Sequence, residues 1–183
     1  MPHFTCSRPV ILSIVLPLWG ILLAAPSPAP AAELTAETVV RSIERARKFL
    51  GGVQQADGSW TSRTRASNPV GTTSLALLAL LNSGMTAEDE PVRKALNFLR
   101  QLDALPNETY EVSLMISALA TAKDGRRDRG RIQTLADKLQ KGQVAVGNGA
   151  GLWDYSVGNG PGNGGDRSNG QFAILGLRDA VHA

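Results

Sequence analysis

Cysteine, histidine and aromatic residues are scarce in this sequence. Cys6 is the one cysteine, and two histidines and 5% aromatics complete the short supply. One thiol excludes an internal disulfide and any multi-Cys metal site. So few rings mean that a core has to be built from Leu, Ala, Ile and Val. Charge is also close to balanced, at +3 over 183 residues. The length suggests one domain.

The first thirty residues read as a leader. Arg8 precedes an apolar stretch from Pro9 to Ala25, and small residues with prolines follow. That is the order of a secretory signal peptide, and Ala29-Pro30-Ala31 fits its cleavage rule. Residues 1–31 are therefore expected to be removed and the protein exported, periplasmic or secreted. Pro17 and Gly20 interrupt the stretch and argue against a retained anchor. No membrane span is expected after cleavage. Removal takes away Cys6 and Arg8, so the net charge falls from +3 to +2.

The remaining chain shows an internal repeat. Three stripes have helical period: Val39, Ile43, Ala46 and Leu50; Val92, Ala95, Leu96, Leu99 and Leu102; Ile132, Leu135, Ala136 and Leu139. Charge flanks each, including Arg47, Arg100, Arg131 and Lys138, which predicts one-sided helices with a solvated face. After each stripe comes a run that is apolar nearly all round: residues 72–82, 109–121 and 169–179. These predict helices buried on most faces, too short to span a bilayer. Their core pentapeptides, Ala76–Leu80, Met115–Leu119 and Ala173–Leu177, are spaced by 39 and then 58 residues. The longer interval holds a glycine-rich insertion, residues 147–165, which reads as a flexible surface loop. Gly84 and Gly125 are expected to stop helices. Thr86 with Asp89, and Ser168 with Gln171, have capping-box spacing. No strands are expected. The fold class is all-α, an array of about three helical hairpins over residues 36–183.

The stretch RARKFLGGVQQADGSW, residues 45–60, carries the most specific pattern. Arg45, Phe49, Leu50, Gln54, Gly58 and Trp60 match the QW motif at each specified position. Gln143, Gly151 and Trp153 repeat its second half, whereas the middle repeat has Asp103 at the Gln position and no Trp. In this the chain resembles the squalene–hopene cyclase and prenyltransferase superfamily of α/α-toroids. The resemblance implies a toroid-like arrangement, incomplete with three hairpins. It gives the motif a structural role, with Gln held at a helix end and the Trp ring packed over it. It also suggests an apolar or isoprenoid ligand.

The family's reactions find little support in the residues. Its cyclases protonate an alkene with a D-x-D-D acid, and no such motif occurs. Its prenyltransferases hold zinc, for which the exported chain has only His182 among Cys and His ligands. Asp166, Asp154 and Glu111 are the acids near the starts of apolar helices and stand as catalytic candidates. Asp154, Asn159, Asn163 and Asp166 lack the spacing of a calcium loop. The insertion lacks the Gly-Lys-Ser/Thr of a phosphate loop. Basic residues cluster from Lys123 to Arg131, but acids interrupt them, which reads as a solvated helix start and not a nucleic-acid site. No cofactor is expected. The leading expectation is an exported, non-catalytic toroid-repeat domain that binds or scaffolds. Its alternatives are a fragment of a squalene-type cyclase and a glycan-active α/α-barrel protein, the last from Trp153-Asp154-Tyr155. A protein partner or self-association is expected at the open end of the array. N-terminal sequencing of the exported protein should begin at Ala32; retention of residues 1–20 would contradict the leader.

Overall fold

The computed structural model describes residues 34–61, 69–157 and 164–183. The expected leader, Asn159 and Asn163 lie outside them. Six helices follow one another: α1 (Ala36–Val53), α2 (Pro69–Asn82), α3 (Glu90–Arg100), α4 (Thr109–Ala122), α5 (Gly125–Lys141) and α6 (Arg167–Val181). Among the described residues there are isolated bridges but no strand, so the fold is all-α and repeat-like. No helix of the described residues is long and apolar enough to cross a membrane.

The two kinds of helix form two kinds of contact. The apolar helices α2, α4 and α6, the inner helices, pack side by side with α4 in the middle, and the amphipathic α1, α3 and α5 are the outer ones. The amphipathic α3 lies on α2, and α5 lies on α4 and α6. Position decides burial: α4 hides Val112, Met115, Ile116 and Leu119 completely or nearly so. Small residues set the spacing. A Cβ on Gly176 of α6 would stand 3.0 Å from the Ser113 Cα of α4, so these backbones meet closely. In α3 and α5 the stripes Val92–Leu99 and Ile132–Leu139 face this row and are buried.

Two helices depart from expectation. No residue of α1 is buried, although its stripe has the same period. Polar bonds attach it instead, among them Arg47 Nε donating to Ser83 Oγ at 2.9 Å. In α6 only Asn169, Gly170, Ala173 and Gly176 are buried, and Ile174 and Val181 are exposed. A periodic pattern states which face is apolar; burial further needs a neighbour on that face, and these two helices end the row.

The caps also differ in detail. Gly84 lies in the turn after α2, but Gly125 starts α5, and left-handed Lys123 closes α4. Asp89 precedes α3 without capping it. Its carboxylate accepts from Thr86 N–H (2.7 Å), and Pro91 leaves the helix start one donor fewer to satisfy. Asp166, not Ser168, caps α6, accepting from Asn169 N–H at 2.9 Å. The insertion is packed at some of its described residues: Trp153 and Val157 are buried, and Val157 N–H donates to the Asn107 carbonyl.

The charged flanks are not simply solvated. Arg100 grips Asp128 through Nε (2.8 Å) and Nη2 (2.6 Å) and reaches Asp124 at 3.1 Å. The Asp128 hydrogen bonds hold the guanidinium pKa above its ordinary value. Asp128 is buried at the start of α5, so this fork joins α3 to α5. Asp128→Ala should lower stability in a denaturant titration by about 2–3 kcal/mol. That is less than the loss of a fully buried pair, because Arg100 keeps Asp124.

Candidate functional site

A helix end leaves carbonyls without partners, and buried ones must find donors. At the end of α1 the Trp60 indole N–H donates to the Leu50 carbonyl at 2.9 Å. Gln54 Nε2 donates to the Gly58 carbonyl (3.0 Å) and to that of Pro91 in α3 (2.9 Å). The Trp60 N–H then donates to Thr73 Oγ1 of α2 at 2.9 Å. One outer helix, the next outer helix and an inner helix thus meet at one clasp. Trp60 is only 4% exposed, so its ring keeps water from these bonds.

The loop geometry follows from ADGSW. The Asp57 carboxylate accepts from Ser59 N–H (2.9 Å) and Oγ–H (2.8 Å), which fixes the turn. Gly58 has φ +91, and a Cβ there would meet the Lys94 carbonyl oxygen at 2.4 Å. Any side chain would push the turn off α3.

The same bonds recur after α5. Trp153 Nε1 donates to the Leu139 carbonyl at 2.6 Å, and Gln143 Nε2 donates to that of Gly151 at 2.9 Å. Gly151 has φ +84, as Gly58 has a positive φ. The Trp153 carbonyl accepts from Asp166 N–H, the cap of α6. Each Trp therefore serves the carbonyl four residues before its Gln, and each Gln serves the one two residues before its Trp. Trp153 is 3% exposed and offers no ring face to a ligand; Tyr155 is the exposed aromatic beside it. Arg45 and Phe49 lie outside the clasp bonds, on the exposed side of α1.

The middle repeat solves the same problem with cations. Arg131 Nη2 donates to the Arg100 carbonyl at 2.7 Å, at the end of α3. Lys138 Nζ donates to the Pro106 carbonyl (2.6 Å) and to Asn107 Oδ1 (2.7 Å). Partial burial lowers the Lys138 ammonium pKa from its usual value. These side chains read in sequence as a wet face. Their charge signalled solvent; only the fold shows the carbonyls that they meet.

The candidate ligand-facing surface lies on the row of inner helices. A groove of about 290 Å³ crosses α2, α4 and α6, with Leu78, Leu114, Ser117, Phe172 and Arg178 among its walls. Next to it the Tyr110 ring lies 4.6 Å from that of Phe172 and 6.4 Å from that of Tyr155. Tyr110 Oη donates to Ser168 Oγ at 2.6 Å, and Ser168 Oγ donates to Asp166. The Ser168 hydroxyl first, and then the Asn169 amide, hold the Asp166 carboxyl below its ordinary pKa. Asp166 is thus kept ionised and occupied as a cap. Asp154 accepts from the Tyr155 N–H (2.7 Å), and its carbonyl accepts from Thr109 Oγ1. Glu111 is buried on α4, its Cγ 3.0 Å from where a Cβ on Gly71 of α2 would stand. The three acids do not converge on one bonded cluster in the bonds just described. Among the described residues no group of three or more His, Cys, Asp or Glu is placed to hold a metal ion. Nothing in the sequence pairs Tyr110 with Phe172, because two rings 62 positions apart carry no local signal.

No family model, curated protein or solved structure matches the chain.

The two clasps can be tested by removing only the indole donor. Trp60→Phe and Trp153→Phe should each cost about 1–3 kcal/mol in thermal or denaturant unfolding, since each removes a buried donor from a helix-end carbonyl, and Trp153→Phe should cost the less because Gly142 N–H still reaches the Leu139 carbonyl at 3.1 Å. Tyr155→Phe, at an exposed position, should change stability by less than about 0.5 kcal/mol.

Proposed function

We propose that this chain is an exported, squalene cyclase/prenyltransferase-like α/α-toroid repeat domain that binds an apolar, isoprenoid-type ligand without transforming it. The duplicated Gln–Trp clasp supports the kinship. It joins the Gln and Trp positions of the QW motif into one hydrogen-bonded unit, twice. The observation that carries the binding reading is the groove across α2, α4 and α6. Leu78, Leu114, Phe172 and Leu175 form an apolar wall that suits a hydrocarbon chain, and Asn82, Ser117, Thr121, Arg178 and Asp179 form a polar one beside it.

The surroundings of two of the three candidate acids, Asp166 and Asp154, support a non-catalytic role. Alkene protonation needs a carboxylic acid that keeps its proton. Asp166 is held in the opposite state by the Ser168 hydroxyl and the Asn169 amide. Asp154 is turned onto its own backbone. A toroid closed by further hairpins or by a partner would enclose the groove more fully.

Two measurements on the same protein test this reading. Farnesol should be retained by the protein, and Leu114→Asp should weaken retention about tenfold or more, by placing a charge on the groove wall. Squalene incubated with the protein should be recovered unchanged by mass spectrometry. A cyclised product that disappears in Asp166→Asn would overturn the non-catalytic role. Equal retention by wild type and Leu114→Asp, or none by wild type, would overturn the binding role.

A further inference from the structure

The repeat itself provides a ruler for what each helix face normally contacts. The outer helices align through the residue four before the Gln position: Leu50, Leu99 and Leu139. One and two turns earlier stand Ala46, Ala95 and Leu135, then Ile43, Val92 and Ile132. Every one of these in α3 and α5 is buried, and each of those helices lies on the inner helix that precedes it. In α1 the first two turns of this face are open, with Ala46 exposed and Ile43 39% exposed, and Leu50 packs only partly against the core. Phe49 makes the comparison within one residue type. Its equivalent Phe98 packs against the core, whereas Phe49 is 66% exposed.

The inner helices show the complementary gap. Their pentapeptides align Leu77 with Ile116 and Ile174. Leu77 and Ile116 are fully buried, and Ile174 is 61% exposed. Ala79 aligns with Ala118 and Gly176. Gly176 meets Ser113 of the preceding inner helix and Ala118 is fully buried, but Ala79 is exposed. The seat that α2 fills for α4, and α4 for α6, is for α2 an open groove of about 610 Å³. Phe49, Val53, Trp60, Leu75, Ala76 and Ala79 line it, and none of its lining residues is charged.

Both ends of the row therefore expose register positions that are covered inside it, and the two exposed faces are the two halves of one interface. We infer that a second copy of this chain docks head to tail, its α6 seated in the α1–α2 groove with Ile174 toward the α1 stripe. The contact continues the α2–α4 and α4–α6 packing already within the chain. It is heterologous, so each copy uses a different face. It does not depend on any ligand of the inner-face groove.

The heterologous geometry gives a test that a simple loss of folding cannot mimic. Sedimentation velocity of the full chain at micromolar concentration should show a dimer or larger assembly. Phe49→Glu and Ile174→Glu, both at exposed positions, should each sediment as monomers with unchanged helical circular dichroism. Mixed in equal amounts they should recover a dimer, because each retains the face that the other has lost. A monomeric wild type would overturn the inference. So would a variant that stays associated alone, or a mixture that stays monomeric.

Discussion

An α-helix that ends inside a protein carries carbonyl groups with no partner, and their satisfaction organises this fold. At α1 and α5 an indole N–H takes the Leu50 or Leu139 carbonyl, and a glutamine amide ties down the loop that brings the indole there. The arrangement uses a ring where water must be kept out and a single N–H where one acceptor is left. It also fixes the exit of the chain, because the Trp backbone bonds to the start of the next inner helix. Helix end, turn and following helix are thus set by one local unit. Its glycine has to adopt a positive φ, and in the first repeat it also has to let α3 approach.

The middle repeat shows that the constraint outlives the residues that meet it. With Asp103 at the Gln position and no Trp, the end of α3 is closed from α5, by Arg131 on a backbone carbonyl and by the Arg100–Asp128 fork. The exchange has a consequence. The second clasp bonds within its own connection, whereas Gln54 of the first reaches Pro91 of α3 and the cationic closure makes α3 rely on α5. α1, with no buried residue, is attached chiefly by its clasp and Arg47.

Much of this was legible in the sequence, for physical reasons. Apolar period located α1, α3 and α5, because burial of one face imposes it, and runs apolar nearly all round located α2, α4 and α6. A tryptophan closing a polar turn pointed to a packed loop, since such a ring is costly to leave in water. What was not legible depended on neighbours. The stripes of α1 and α3 look alike, yet one is open and one buried, because only α3 has an inner helix before it in the row. Ser168 has the spacing of a cap, yet Asp166 wins, because its carboxylate accepts from both Ser168 and Asn169. Arg100, Arg131 and Lys138 looked solvated because charge alone does not show which carbonyl lies within reach.

The central claim is that two indole N–H groups are locked onto helix ends. Hydrogen exchange of the Trp60 and Trp153 indole protons, followed by NMR on the ¹⁵N-tryptophan-labelled protein, tests it most directly. Both should be strongly protected and should exchange only as the helices open. Free exchange of either indole in the folded protein would contradict the account.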